Sequence, residues 1–169
     1  MTTKRQSIET DLYLLAQTLP SRFSQPILEL VGSLNSIFET LPIVLTHGDF
    51  FEMNILIDES SGHLTGVMDW AEAENLPFGF GLGALENFLG YMHKQGWNYF
   101  DQHEGLRTLF WKALYVDVGE DVKELQGTID LAARVSILLR HGFRWDAKMQ
   151  RRVVDEGDSG MRYLDALFL

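Results

Sequence analysis

The sequence predicts an α+β domain that is mostly helical and carries one short β-hairpin near its middle. Three observations predict it. Apolar residues recur at helical spacing towards both ends of the chain. Two short β-type runs flank a turn cluster, Glu59-Ser60-Ser61-Gly62. A length of 169 residues with 46% hydrophobic content suffices to bury one core. That content, with 12% aromatic residues, excludes a disordered chain.

The elements follow in order. Ile8, Leu12, Leu15, Ala16 and Leu19 form one helical stripe, and Pro20 stops it. A second helix is expected from about Ser24, with Pro26 in its first turn, through Ile27, Leu30, Val31, Leu34 and Phe38 to Thr40. Pro42 resets the chain, and Ile43-Val44-Leu45 is a short β-type run that enters a polar loop at Thr46. Residues 54–58 and 63–69 read as the two hairpin strands. Residues 70–83, rich in glycine and interrupted by Pro77, read as irregular. Helices are expected over 85–91, 104–116, 122–140 and 159–167. The chain thus divides, within a single domain over 1–169, into N-terminal helices (1–42), a loop-and-hairpin segment (43–83) and a helical remainder (84–169).

Charge and composition narrow the function. With 24 Asp+Glu against 14 Lys+Arg, the formal charge of −10 speaks against a nucleic-acid partner and against docking on anionic lipid. An acidic surface would steer in a cationic small molecule, although solubility alone accounts for the same number. No cysteine is present, which excludes disulfides, a thiolate nucleophile and Cys-ligated zinc. The start, Met1 to Gln6, has no apolar run behind it, and no apolar run is long enough to span a bilayer. The chain reads as a cytoplasmic protein with no membrane partner.

The informative region is Thr46 to Trp70. A turn centred between Ser61 and Gly62 places Asn54 opposite Asp69 at the open end of the hairpin, where neighbouring strands lie about 5 Å apart. Asp49 lies in the loop entering that same end. Two carboxylates and one carboxamide are therefore expected at one point. Oxygen donors without thiolate suit Mg²⁺, which keeps waters and completes its shell with substrate phosphates. The alternative is that Asp49 and Asp69 cap turns while Asn54 binds the loop.

His47-Gly48-Asp49-Phe50-Phe51-Glu52-Met53-Asn54 reproduces the spacing H-x-D-x-x-x-x-N of a kinase catalytic loop. Asp69-Trp70 stands where such folds place a metal-binding Asp. His-Gly-Asp followed by Asp-Trp resembles the aminoglycoside phosphotransferase and choline-kinase-like family, which is protein-kinase-like. Asp69 to Glu74, with Pro77-Phe78-Gly79 behind it, looks like the continuation found in its fungal members. The resemblance covers about residues 45–89 and implies the C-terminal lobe of a kinase-like fold. It implies that Asp49 orients, or takes the proton from, a substrate hydroxyl. Asn54 and Asp69 would hold Mg²⁺ against the phosphates of ATP or GTP, and His47 would brace the loop. Glu72, Glu74 and Glu86 are candidates for the cleft of a cationic small-molecule substrate, with a solvated face as the alternative; Trp70, Phe78, Phe80 and Trp97 are candidates for the wall of a ligand pocket, with core packing as the alternative.

The resemblance also exposes an expected absence. Phosphoryl transfer in this fold needs a glycine-rich loop and a strand-borne lysine over the phosphates. Only 46 residues precede His47, they read as helices, and Lys4 is the sole lysine among them. Gly79-Phe80-Gly81-Leu82-Gly83 follows the Asp-Trp motif, so it reads as a bend into the next helix. The expected fold is therefore a catalytic lobe without its N-terminal nucleotide lobe, weak or inactive alone. Three identities remain open: a fragment of a longer product, a degenerate kinase that keeps the metal cluster by inheritance and serves as a silent interaction protein, or a complete protein using the Asp49/Asn54/Asp69 pocket for non-kinase chemistry on a metabolite. The surface facing the absent lobe is expected to be apolar and to invite a partner protein or a second copy.

Other motifs are weaker. No histidine pair has zinc-protease spacing. Gly157-Asp158-Ser159-Gly160 looks like a protease nucleophile motif but reads as a helix start capped by Asp158 or Ser159. Arg140, Arg144, Lys148, Arg151 and Arg152 form the one basic cluster, suited to an acidic partner or phosphate, or to the C-terminus of a helix.

Overall fold

The structure, a computed structural model, describes residues 2–169. Helices α1 (Thr2–Thr18) and α2 (Ser21–Thr40) are joined through Leu19 and Pro20 and pack on each other. Strand β1 (Ile43–Thr46) leads into the polar loop, and β2 (Ile55–Ile57) and β3 (Leu64–Val67) form the expected hairpin. Beyond it come β4 (Glu74–Pro77), a 3₁₀ segment (Phe80–Phe88), β5 (Gly90–His93), β6 (Gly96–Tyr99) and α3 (His103–Val118). A 3₁₀ segment (Glu120–Leu125), α4 (Gln126–His141), β7 (Phe143–Trp145), β8 (Arg151–Val153) and α5 (Ser159–Leu167) complete the chain.

One continuous apolar cluster runs from Ile8 to Phe168. The predicted stripe of α1 is buried through Leu12 and Leu15, and that of α2 through Ile27, Leu30 and Leu34. Against them lie Ile129, Ala132, Val135 and Leu138 of α4, with Met161 and Leu164 of α5. Helix α4 is thus the central element, touching α1, α2, α5 and the 3₁₀ segment after β4. Among the described residues no helix is long and apolar enough to cross a membrane.

Several elements differ from the sequence reading. Helix α2 begins at Ser21 rather than Ser24, so Pro26 lies in the second turn and not the first. Tertiary contacts extend it: Phe23 is buried against Phe168, and Arg22 pairs with Glu156 and Asp165. The single expected hairpin is one of four antiparallel strand pairs. Residues 74–77, expected to be irregular, form β4 and pair with β1 in the register Ile43↔Pro77 to Thr46↔Glu74. Residues 85–91, expected to be helical, end a 3₁₀ segment and enter β5, where Tyr91 pairs with Asn98. The helix expected over 122–140 divides into a 3₁₀ segment and α4. Helix α5 begins at Ser159 as expected, but the Asp158 carboxylate does not cap it. It accepts the Asp155 N–H at 3.0 Å and pairs with Arg144 and Arg152.

The glycine-rich bend after β4 lies flat on α4, and the missing side chains make this approach possible. A Cβ on Gly83 would sit 2.0 Å from Ser136 Oγ and 2.8 Å from the Ala133 carbonyl oxygen. At Gly81 it would meet only Thr46 Cγ2, at 3.6 Å. Gly83→Ala is therefore expected to lower stability by about 1–3 kcal/mol through overpacking, while Gly81→Ala stays within about 1 kcal/mol. Urea denaturation of the two variants, compared by midpoint, checks the contrast.

Candidate functional site

The loop that leaves β1 is pinned from both sides. His47 is buried, 7% exposed, and its Nε2 lies 2.8 Å from the Met68 carbonyl oxygen. Its Nδ1 accepts the backbone N–H of Asp49 at 3.3 Å, which selects the tautomer protonated at Nε2. The ring packs on Trp70 at 4.7 Å, and the Trp70 indole N–H donates to the Val67 carbonyl at 2.9 Å. Gly48 adopts φ +82°, and a Cβ there would stand 2.3 Å from the Glu72 carbonyl oxygen. Only glycine fits between His47 and Asp49 in this backbone.

Asn54, 6% exposed, closes the far end of the loop by donating from Nδ2 to the Asp49 carbonyl at 2.8 Å. Its Oδ1 is left as the carboxamide acceptor. The hairpin register is Ile55↔Val67, and the Met68 N–H donates to the Asn54 carbonyl at 2.9 Å. Asn54 therefore faces Met68 rather than Asp69, one residue from the expected pairing. The turn is the physical reason: the Asp58 carboxylate gathers Ser60 Oγ, Ser61 Oγ and the Ser61 N–H, and the register also shifts between Leu56 and Ile57. Those three donors hold the Asp58 carboxyl down at about 2. Asp69 follows the paired strand in the left-handed region, φ 61° and ψ 63°. Its side chain is exposed and has no hydrogen-bond or ion-pair partner among the described residues.

The Asp49 side chain, one-third exposed at 33%, pairs with Arg140 Nη1 at 2.6 Å. Arg140 lies in the last turn of α4 and also rests over the Phe51 ring, 5.6 Å from its centroid. In the sequence Arg140 is one of five basic residues suited to an acidic partner, to phosphate or to a helix C-terminus. The structure disperses that cluster: Arg151 pairs with Asp11, Arg144 and Arg152 pair with Asp158, and Arg140 alone of these arginines reaches the loop.

Beside the loop is a cavity of about 310 Å³, lined by Gly48 and Phe50 on either side of Asp49 and by Trp70 and Arg140. Of the residues expected at the cleft, Trp70 borders this cavity, whereas Glu72 and Glu74 do not. Glu74 pairs with Lys4, and Glu86 is engaged by Arg107 and the Tyr99 hydroxyl. Among the described residues no group of three or more His, Cys, Asp or Glu side chains is placed to hold a metal. A cation at Asn54 and Asp69 would have two protein oxygen donors and need the rest of its shell from water and phosphate. That donor set fits Mg²⁺, which binds through few carboxylates and keeps its waters.

A strand-framed loop with the order His-Gly-Asp, Asn, then Asp after a hairpin, set on a helical core, has the motif order of kinase-like phosphotransferases. The model of the phosphotransferase enzyme family matches residues 3–91, more than half of the chain, and the chain belongs to that family. No curated protein and no solved structure matches it.

Gly48→Ala is expected to cost about 1–3 kcal/mol and to displace the loop, since the φ and the Glu72 carbonyl both oppose a Cβ. The loss of the Asp49 N–H to His47 bond, read from accelerated amide exchange at Asp49, checks it. His141, behind Arg140, stacks on Tyr163 at 4.6 Å, and burial together with the Arg140 charge lowers its pKa from 6.5 to about 4. Between those values the unfolded chain binds a proton that the folded chain does not. Stability is thus complete above pH 6.5 and falls towards pH 4, by up to about 3 kcal/mol. Urea midpoints from pH 7 to pH 4.5 should fall in the wild type and flatten in His141→Gln.

Proposed function

We propose that the chain is the catalytic lobe of a cytoplasmic, Mg²⁺-dependent phosphotransferase that moves the γ-phosphoryl group of ATP or GTP to a hydroxyl of a small molecule. The observation that carries this reading is the fixing of Asp49 on three sides. Its N–H is bound to His47, its carbonyl to Asn54 and its carboxylate to Arg140. Such transfer depends on positioning and charge neutralisation more than on covalent chemistry, and a clamped carboxylate suits it.

In this reading the acceptor hydroxyl donates a hydrogen bond to the Asp49 carboxylate. The acceptor oxygen bonds to the γ-phosphorus, the bond from that phosphorus to the bridging oxygen breaks, and the nucleoside diphosphate departs with the electron pair. The hydroxyl proton passes to Asp49 and then to water. Asn54 and Asp69 would hold Mg²⁺, which supplies charge neutralisation on the phosphate oxygens when bound. Arg140 holds the Asp49 rotamer, and His47 holds the loop.

Residues ahead of His47 form α1, α2 and β1, and Lys4, the one lysine among them, lies in α1 paired with Glu74. This supports slow transfer by these residues alone, with the phosphates gripped by a further lobe or partner. The exposed Leu45, Met53, Ile57 and Leu64 around the hairpin support a partner protein or second copy covering that side.

Calorimetric titration with Mg²⁺, then with ATP or GTP plus Mg²⁺, tests the reading. Asp69→Ala should weaken the Mg²⁺-dependent signal at least about tenfold, and unchanged affinity would remove the metal assignment. Asp49→Asn should leave nucleotide binding intact and cut transfer by about 10²–10⁴-fold in a radiolabelled phosphate assay.

A further inference from the structure

We propose that the acceptor at this site is a neutral, largely apolar molecule bearing a hydroxyl, seated in the cavity beside Asp49, and that cationic acceptors are excluded from it. This rests on the phosphotransferase reading and adds the chemistry of the acceptor to it.

The cavity of about 310 Å³ lies at the small end of the range for ligand pockets. Its walls are apolar and aromatic, with Val44, Phe50, Trp70, Phe78, Leu82 and Ile137 contributed by separate parts of the chain. Arg140 is the one Arg, Lys, Asp or Glu side chain among its lining residues. The nearby carboxylates are committed elsewhere: Asp49 to Arg140, Glu74 to Lys4 and Glu86 to Arg107. The polar lining groups are also largely engaged. His47 uses both ring nitrogens, and the Ser136 hydroxyl donates to the Ala133 carbonyl at 2.8 Å.

An ammonium entering this space would leave water and approach a guanidinium, and the one carboxylate beside the cavity, Asp49, is already neutralised by that same Arg140. Burying an unpaired charge is among the costliest steps in protein chemistry. A hydroxyl carried on an apolar body loses only hydrogen bonds, and the Asp49–Arg140 pair beside the cavity can replace them. The formal charge of −10 draws cations towards the surface, so the selection against them is local and opposes the field of the whole molecule.

The test compares matched probes on the 169-residue chain: 2-phenylethanol against 2-phenylethylammonium, and cyclohexanol against cyclohexylammonium. Binding is followed by NMR at the Trp70 indole N–H. The expected result is that each alcohol binds at least about tenfold tighter than its ammonium counterpart. Gly81→Leu should weaken alcohol binding by about as much while keeping a cooperative urea transition. Its added Cβ meets only Thr46 Cγ2, at 3.6 Å, and Ala84→Leu serves the same purpose if that variant unfolds. Ammonium probes binding as well as the alcohols would overturn the charge selection. Absence of binding by either class, or binding that ignores the filled cavity, would overturn the seat. Selective alcohol binding by a chain whose calorimetric titration shows no Mg²⁺-dependent nucleotide signal would overturn the phosphotransferase reading beneath the proposal, leaving the cavity's preference standing.

Discussion

The site depends on one buried imidazole that ties together two segments of chain. His47 receives the N–H of Asp49 and reaches the carbonyl of Met68, so the loop after β1 and the end of the hairpin are tied together. Gly48 then brings the loop backbone against the Glu72 carbonyl, where any side chain would collide. The Met68 peptide groups are held on both sides, by His47 at the carbonyl and by Asn54 at the N–H. The next residue must turn sharply away, and Asp69 does so in the left-handed region, leaving its carboxylate in solvent. The local strain at Asp69 and the fixed position of Asp49 have a common origin.

The helices serve this arrangement as a floor. Helix α4 is held by the α1–α2 pair on one side and by α5 on another, and its last turn delivers Arg140 to Asp49. The glycine bend after β4 packs closely on the same helix, which brings Phe78 and Leu82 to the cavity wall. His141, stacked on Tyr163, stands next to Arg140 in an environment that disfavours a second positive charge. The loop carries the Asp49 carboxylate, and α4 decides how that carboxylate is held.

What could be read from the sequence was what is local. Asp49 and Asn54 lie five residues apart, and their relation survives in the hydrogen bond between them. Helical stripes such as Ile8 to Leu19 are read directly because each residue's partners lie one turn away. Strand β4 carries little β signal in Glu-Asn-Leu-Pro, and only its distant pairing with β1 makes it a strand. Gly90 to His93 is hidden because Leu85, Phe88 and Leu89 stand at the spacing of a helical stripe. The Asn54 register was missed by one because side chains, here Asp58 and the two serines, set the width of the turn. Arg140 had no local signal at all. It acts on a residue 91 positions earlier, and nothing in its own neighbourhood distinguishes it from four other basic residues.

The bond between Asp49 and Arg140 crosses the border of the family match, which ends at residue 91. All of the motif lies before that border, while α4 and α5, which complete the core beneath it, lie after. A polypeptide cut at the border would keep every recognisable letter of the family and expose the apolar faces of α1 and α2 to water. Kinship and foldability therefore have different edges on this chain, and its C-terminal half is free to diverge only as far as it still covers those faces and returns an arginine to the loop.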